Sequence, residues 1–446
     1  MDFQSLFGML GGGVWTLVFF VVALSVIVTV HELGHYLVGR WTGIGAEVFS
    51  LGFGPVLASR VDKHGTKWQL AAIPFGGYVK FVGDSNAASG RDDAALAGMD
   101  AQTRRRSVHG APLWARAATV AAGPLANFLL SFVVFSALIF SQGVPVSPMT
   151  IAEIHPFPAE AEIGLKVGDR ILAIDGKDVR DETAAAEALA DLPDQATLDY
   201  LVERDGSEML VTAPNLFPAL VGSVMPNSAA ADAGLAPDDV ILSVDGKPIS
   251  TFSELRDLTG ASEGEPMQIK VWRDGETFDF TLVPRKMDLP TGGGGFETRY
   301  LIGLTSGSLY EAKTEYPSPW KAAEFGVKQT WEVLVTTISG IGHMVTGKID
   351  SCNIQGAIGI AEASGDAAAA GLASFVMFIG FLSAAIGLLN LFPIPVLDGG
   401  HLVFQAWEAV TGKAPGEKAM RIMMTIGLVL VLSLMIFGLT NDVRCP

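Results

Sequence analysis

The chain has 446 residues and a formal net charge of −17, with a mean hydropathy of +0.39. This hydropathy excludes an ordinary soluble enzyme, although the length allows several domains. Residues 142–326 contain 31 acidic and 14 basic residues, whereas the rest of the chain is balanced. An acidic, water-soluble block is therefore inserted into an apolar frame, and no basic surface favours nucleic-acid binding.

The cysteines limit the disulfides that the chain can form, and the N-terminal residues indicate whether a signal peptide is removed. Cys352 and Cys445 allow one disulfide at most, which excludes a disulfide framework. Residues 1–13 contain no Lys or Arg, so the basic region of a cleavable signal peptide is missing. We expect the first apolar run to be retained as a membrane helix.

Four apolar runs are long enough to cross a bilayer as helices, which takes about 20 residues each. They lie near 14–38, 117–140, 372–392 and 420–439. The loop 39–116 holds ten basic and six acidic residues, so the positive-inside rule places it in the cytoplasm. Both termini and the acidic block are then expected on the outer, periplasmic side.

The first span ends in the motif HELGH, which carries ionisable groups where they are costly. His31 and His35 are four residues apart, so their imidazoles project from one face of a helix. Two such nitrogens can hold a Zn²⁺ ion, and Glu32 can then reach a water in the open position, as in HExxH zinc peptidases. The alternative, a buried His pair satisfied by protein partners, leaves the adjacent acid unexplained.

Residues 43–81 indicate short strands joined by sharp glycine turns, and they are unusually apolar for a loop. A sheet that dips toward the bilayer beside the metal-binding helix explains this composition. An edge strand of that sheet could hold an opened substrate segment by strand addition. We expect Val48 and Phe49 to lie on this exposed edge. A plain cytoplasmic hairpin is the alternative.

The second span contains AAGPLANFLLS at 121–131. Gly123, Ala126 and Asn127 would allow close helix packing in the membrane. Asn127 also requires a hydrogen-bond partner at that depth.

The acidic block contains an internal repeat. GLKVGDRILAIDGKDV (164–179) matches GLAPDDVILSVDGKPI (234–249) at eight of sixteen positions. RDGS (204–207) is likewise echoed by RDGE (273–276). The repeated motif resembles that of bacterial PDZ domains, which bind extended peptides or chain termini by adding a strand to their sheet.

The repeat spacing predicts two β-rich domains at 145–213 and 219–285, followed by a glycine linker at 291–295. A helix follows, whose apolar residues recur every three or four positions. Its stripe comprises Trp320, Ala323, Val327, Trp331, Leu334, Ile338, Ile341 and Val345. Polar residues interrupt the helix, so we expect it either along the membrane surface or packed under the repeats, within a linker region 291–350.

Two histidines leave a catalytic zinc ion one protein ligand short, since such sites usually have three. Beyond the third span, NLFPIPVLDGGH (390–401) places Asp398 where that span reaches the cytoplasmic face. The loop charges place His31 and His35 at the same face. His401 is a rival ligand, and chemistry alone favours Asp398 without excluding it.

HELGH, AAGPLANF, NLFPIPVLDGG and the paired PDZ-like repeats together resemble the site-2 protease family, and within it the bacterial regulator-of-sigma-E type. The similarity covers nearly the whole chain. It implies that Asp398 is the third zinc ligand and that 43–55 is a membrane-dipping β-element. It also implies that Asn390, Pro393 and Pro395 help to hold substrate.

The predicted fold is a multi-pass α-helical membrane protein with four spans, a membrane-associated β-element and two inserted PDZ-like domains. The predicted function is intramembrane zinc proteolysis in the bacterial inner membrane, with Glu32 as general base. The resemblance implies a single-span substrate, such as an anti-sigma factor, that another protease has already trimmed during a stress response. The PDZ-like pair would exclude intact substrate by size or bind the new C-terminus.

Two other functions are compatible with parts of the sequence. A membrane scaffold without activity would use only the PDZ-like pair, and a zinc peptidase acting outside the bilayer would use the spans as anchors. The complete set of metal motifs argues against the scaffold, and the position of these motifs on the spans argues against the anchored peptidase.

Overall fold

The computed structural model of the protein describes residues 12–84, 100–158, 163–225, 228–291, 295–347 and 355–444. Most of the Ala-rich segment 85–103, the expected linker glycines at 292–294 and both cysteines lie outside the described residues.

In chain order the helices are α1 Gly12–Trp41, α2 Ala101–Arg106, α3 Leu113–Gln142, α4 Glu182–Ala190, α5 Ala229–Ala233, α6 Phe252–Ala261, α7 Pro319–Val345, α8 Ala357–Ala369, α9 Leu372–Asn390, α10 Asp398–Thr411 and α11 Glu417–Arg444. The strands are β1 Ala46–Val61, β2 Lys67–Phe81, β3 Val144–Pro145, β4 Ile151–Ile154, β5 Arg170–Ile174, β6 Lys177–Asp178, β7 Thr197–Arg204, β8 Ser207–Pro214, β9 Val221–Val224, β10 Val240–Val244, β11 Lys247–Pro248, β12 Met267–Arg273, β13 Glu276–Leu282, β14 Arg285–Thr291, β15 Gly295–Leu301, β16 Leu304–Ser306, β17 Tyr310–Ala312 and β18 Thr314–Glu315.

The chain divides into two units. The first consists of the described parts of Met1–Leu138, Pro319–Gly342 and Ser351–Pro446, and the second of those of Ile139–Ser318 and His343–Asp350. The first unit carries the long apolar helices, and the second carries the repeats.

Four described helices are long and apolar enough to cross a membrane. They are Gly13–Trp41, Leu113–Gln142, Leu372–Asn390 and Lys418–Arg444. These helices coincide with the four spans that the sequence predicts, so the multi-pass helical fold is confirmed.

β1 and β2 each fold back, so that their segments form four neighbouring strands of one sheet. Residues 46–51 pair antiparallel with 77–81 on one side. On the other side they pair with 67–70, and here the residue numbers rise together, so this ladder is parallel. Residues 56–61 then pair with 67–71 and complete the sheet.

Val48 and Phe49 lie inside this sheet, so the expectation that they form an exposed edge is wrong. Phe49 pairs with Val79 on one side and with Trp68 on the other. Its ring stacks on that of Trp68 at 4.2 Å between centroids, and it is only 3% exposed. Among the described strands, 77–81 pairs on one side only, so it offers an open edge instead.

Each repeat folds into a small β-rich domain, as predicted. The two four-stranded sheets have the equivalent orders β6-β5-β7-β8 and β11-β10-β12-β13. The repeated RDG sequence has a matching role in both, since Arg204 binds Asp169 and Arg273 binds Asp239. Both carboxylates are buried, and burying a charge is favourable only when it is paired.

Both domains are completed by one segment that follows the second repeat, residues 301–312, which we call the shared segment. Its first strand, β16, pairs with β9 of the second domain, and its second strand, β17, pairs with β4 of the first. Ile302 enters the second core and Leu309 the first. The predicted boundaries 145–213 and 219–285 follow the local repeat and do not include this segment.

The predicted glycine linker 291–295 lies mostly outside the described residues, and the residues on either side of it pair as strands. β14 and β15 pair from Arg285 and Leu301 to Thr291 and Gly295. Strands therefore flank the glycines, one following the second repeat and one leading into the shared segment.

α7 confirms the predicted helix after the repeats, but its packing face is not the apolar stripe. Ala322, Gly326 and Thr330 are buried, and the last two lie against α3. Trp320 and Trp331 of the stripe are 79% and 64% exposed. The two expected placements, along the membrane surface or packed under the repeats, stay predictions.

Replacement of Leu309 by Ala tests the shared segment. Leu309 is 0% exposed in the core of the first domain, so its truncation should destabilise that domain by about 2–5 kcal/mol. Limited proteolysis in increasing urea should then cut the first domain before the second. The control is Leu210→Ala, which removes the same atoms from the same domain at a position that is 67% exposed. Equal protease resistance of the two variants would contradict the assignment of Leu309 to the first domain.

Candidate metal centre

His31 and His35 lie on consecutive turns of α1 and face the same side, as their spacing predicts. Their Nε2 atoms are 3.1 Å apart. Oδ2 of Asp398 lies 3.1 Å from Nε2 of His31 and 3.5 Å from Nε2 of His35. The structure therefore brings all three predicted ligands together, with their donor atoms within 4.8 Å of one another.

Asp398 is the first residue of α10 and reaches the histidines through a tight turn that follows α9. A Cβ on Gly399 would overlap the carbonyl oxygens of Leu391 and Phe392, and one on Gly400 would overlap the same turn. The sequence DGG thus combines a ligand with two positions where the backbone passes too closely for a side chain.

His401, the rival ligand, does not belong to the cluster found among the described residues. It lies further along α10, with its ring centroid 6.2 Å from that of Phe404. Burial lowers the pKa of its imidazole below the usual value. The geometry therefore selects Asp398.

The three donor atoms fit a small ion in tetrahedral coordination. Bonds of about 2.0–2.2 Å set the ligand atoms of such an ion roughly 3.3 Å apart, and the observed separations are 3.1–3.5 Å. Oδ2 of Asp398 is buried, and it has no hydrogen-bond partner among the described residues. A bound cation would satisfy it.

Gly123 of α3 leaves room for the imidazole rings of both histidines. A Cβ at this position would overlap Nε2 of His35 and lie 2.9 Å from Cε1 of His31. The sequence predicts only close packing at Gly123, and its place beside the donor atoms was missed.

Neighbouring groups of α3 contact the second nitrogen of each imidazole. Nδ1 of His35 lies 2.8 Å from the carbonyl oxygen of Thr119, and Nδ1 of His31 lies 3.3 Å from the side-chain amide of Asn127. Asn127 thus has the polar partner that the sequence requires. The spacing of Thr119, Gly123 and Asn127 puts them on one face of α3, a signal that could have identified the whole set.

Glu32 lies between the metal ligands and the β-sheet. Its carboxylate accepts a hydrogen bond from the backbone N–H of Val79. Its Cγ would lie 3.4 Å from a Cβ on Gly77. Both contacts are with strand 77–81, so the predicted general base adjoins the open edge of the sheet.

The residues expected to hold substrate precede Asp398 in the chain. Asn390 ends α9, and Pro393 and Pro395 lie in the turn that follows. A Cβ on Gly427 of α11 would lie 3.1 Å from Cδ of Pro395, so this turn packs on the fourth span. Contact of these three residues with substrate stays a prediction.

A comparison with protein families identifies the family of the chain that carries this metal centre. A model of peptidase family M50 matches residues 19–434, a range that includes all three ligands and both repeats. The chain belongs to peptidase family M50. The resemblance to site-2 proteases that the motifs suggest is thereby confirmed.

Curated relatives match this M50 chain over nearly its full length. A protein designated a candidate zinc metalloprotease in Agrobacterium fabrum is 36% identical over 95% of this chain and 94% of its own. The regulator of sigma-E protease RseP of Salmonella typhimurium is 32% identical over 96% of this chain and 98% of its own. Among solved structures, the PDZ domain of an SdrC-like protein from Listeria monocytogenes matches 22% of this chain and 93% of that chain, with 21% identity and a TM-score of 0.17.

Gly123→Ala should abolish metal binding while the protein remains folded. The added Cβ would occupy the space beside His35 Nε2, so the donor atoms could no longer converge on one ion. Metal content can be measured by elemental analysis, and helicity by circular dichroism. Gly13→Ala is the matched control, because a Cβ on Gly13 of α1 would have no neighbour within 4 Å. Full metal occupancy in the Gly123 variant would disprove this role.

Proposed function

We propose that this protein is an intramembrane zinc metalloprotease. The proposal rests above all on the convergence of His31, His35 and Asp398, whose donor atoms lie 3.1–3.5 Å apart at the ends of membrane spans. The names of the Agrobacterium and Salmonella relatives, zinc metalloprotease and regulator of sigma-E protease, support both the metal and the reaction.

The chemistry proposed is hydrolysis of a peptide bond. His31, His35 and Asp398 would hold Zn²⁺, which lowers the pKa of a bound water to about 7 and polarises a carbonyl. Glu32 takes a proton from the attacking water and passes it to the leaving amine. The N–H of Val79 holds the Glu32 carboxylate in place, which reduces the freedom of the base.

The proposed location is the bacterial inner membrane. The ten basic residues of loop 39–116 place that loop in the cytoplasm by the positive-inside rule. The termini and the PDZ-like domains are then periplasmic. Water reaches the metal ligands from the cytoplasmic side, because they lie at the ends of α1 and α9 that face it.

The proposed substrate is a single-span membrane protein of the anti-sigma-factor type, trimmed beforehand by another protease. The name of the Salmonella relative supports this class. A helical substrate satisfies its backbone groups internally, so it must open locally before its carbonyl can be attacked.

Strand 77–81 is the proposed binding edge for the opened substrate. Strand addition requires an open strand edge. This edge adjoins Glu32 through Gly77 and Val79, and because the N–H of Val79 binds Glu32, a substrate strand would pair with the neighbouring backbone groups. Substrate held there would lie beside both the base and the metal ligands. Val48 and Phe49 play no direct part, since their backbone is paired on both sides.

The PDZ-like domains are proposed to bind a peptide, such as the new C-terminus of a trimmed substrate. Among the described strands, β16 and β17 of the shared segment each pair on one side only. Each domain therefore keeps an edge at which an extended peptide can add as a strand.

Substitutions at the metal centre separate binding from chemistry. Glu32→Gln should lower cleavage of a single-span substrate by about 10²–10⁴-fold with zinc still bound, because Glu32 is not a ligand. Asp398→Asn should lower both zinc content and cleavage. Elemental analysis and cleavage in proteoliposomes measure the two quantities.

His401→Ala is the matched control for these variants, because it removes a polar side chain from the same helix as Asp398. It should retain zinc. Zinc loss in the His401 variant alone would reject Asp398 as ligand, and cleavage by the Glu32→Gln variant at the parent rate would remove Glu32 from the mechanism.

Cross-linking distinguishes the two edges of the sheet. With both native cysteines replaced by Ser and Glu32 by Gln, Lys80→Cys should form a disulfide with a cysteine placed near the cleavage site of a bound substrate. Ser59→Cys, on the opposite edge, is the control and should not. The disulfide is detected as a heavier band on a non-reducing gel. Preferential trapping at position 59 would place the substrate on the outer edge and overturn the proposal for 77–81.

A further inference from the structure

Three residues on one face of α3 lie beside the histidine pair of α1. Thr119, Gly123 and Asn127 are spaced by four, as His31 and His35 are, so each set lies along one face of its helix. Gly123 faces the donor atoms, Thr119 contacts His35 and Asn127 contacts His31. The polar groups of α3 thus lie on either side of the space for the metal.

The tautomer of His35 is fixed by the backbone. A carbonyl oxygen only accepts, so the contact of 2.8 Å between Nδ1 and the oxygen of Thr119 puts the proton on Nδ1. Nε2 then keeps its lone pair and faces the other donor atoms. No substitution of Thr119 removes this acceptor, because it belongs to the main chain.

His31 needs the same arrangement but receives it from a side chain. Its Nε2 faces Asp398 and His35, so a neutral ring that binds metal through Nε2 carries its proton on Nδ1. That proton needs an acceptor. In the structure the amide nitrogen of Asn127 lies 3.3 Å from Nδ1, and its Oδ1 has no partner among the described residues. A half-turn of the amide exchanges its two ends, which have nearly the same shape. Only the oxygen can accept.

The surroundings of Asn127 hold it in this position. Its side chain is fully buried, and its only side-chain hydrogen bond among the described residues is with His31. Its backbone oxygen accepts a hydrogen bond of 2.9 Å from Ser383 of α9. A Cβ on Gly387 would lie 3.0 Å from the Cβ of Asn127. The residue is therefore confined between the two spans that bring the ligands together.

We propose that Asn127 is a positioning residue for the metal, which accepts the Nδ1 proton of His31 through Oδ1 and thereby keeps Nε2 available as a ligand. This inference rests on the proposed metal-binding function. Groups that orient a metal-binding histidine in this way typically account for about 10–100-fold in metal affinity.

The test compares variants that keep or remove the acceptor in the full-length protein in detergent. Asn127→Asp keeps an acceptor oxygen and loses the amide donor, whereas Asn127→Leu has a similar size and neither. Zinc affinity is measured by competition with a chelator, and ligand geometry by the visible absorption of the Co²⁺-loaded protein. Neither readout depends on proteolysis.

The expected result is a loss of about 10–100-fold in zinc affinity for Asn127→Leu, with altered Co²⁺ bands. Asn127→Asp should keep both properties close to those of the parent. Ser131→Ala is the matched control, since Ser131 is also fully buried on α3 but contacts Thr330. It should leave both properties unchanged. Asn127→Ala replaces the Leu variant if the latter does not purify as a single species.

Three results would overturn the inference. Equal losses for Asp and Leu would show that the amide donates to His31, and equal affinities for all variants would show that Asn127 only packs. A loss in Ser131→Ala as large as in Asn127→Leu would show a general weakness of α3. Failure of the parent protein to bind zinc would instead reject the proposed function, so the two failures are distinguishable.

Discussion

The metal centre depends on the close approach of α1 and α3. A Cβ on Gly34 would lie 2.7 Å from that of Ala126, and one on Gly123 would overlap the ring of His35. In lipid no hydrophobic effect draws helices together, so small residues that allow close packing have to supply the contact. The same contact sets the distance at which Thr119 and Asn127 reach the imidazoles. A wider spacing would separate the histidines from their hydrogen-bond partners before it disturbed the helices.

α3 contributes no ligand to the cluster, yet it contacts the elements that hold the ligands. Towards α9, a Cβ on Gly380 would lie 3.0 Å from the ring of Phe135, and Ser383 binds the oxygen of Asn127. Towards α7, a Cβ on Gly326 would lie 2.8 Å from the carbonyl oxygen of Phe132. Glycines on three neighbouring helices thus pack against one span. The position of Asp398 relative to His31 is well defined, because α1, which carries His31, and α9, which precedes Asp398, both pack on α3.

The sequence predicts the ligands well because their information is local. His31 and His35 lie four residues apart on one helix, and the Pro-containing turn before Asp398 marks its depth. The prediction from sequence fails for Phe49. A strand that pairs parallel on one side and antiparallel on the other cannot be recognised from alternation of apolar and polar residues alone. The sequence also does not predict the role of Leu309. This residue packs into the core of the first repeat, about a hundred residues earlier in the chain, and side-chain type does not specify a distant partner. The sequence predicts Gly123 only as a packing residue, and its place beside the histidines emerges only when its spacing is considered together with Thr119 and Asn127.

The metal centre is complete without the acidic block. His31, Glu32, Val79, Asn127 and Asp398 all belong to the first unit, and no described residue of the second unit belongs to the metal cluster. Under the proposed function, the PDZ-like domains would therefore act on the substrate rather than on the metal ligands. This separation agrees with the charge distribution, because the excess of acidic residues is confined to 142–326. The acidic charge is thus concentrated in the unit that carries the repeats, whereas the ligands and their supports lie among apolar helices.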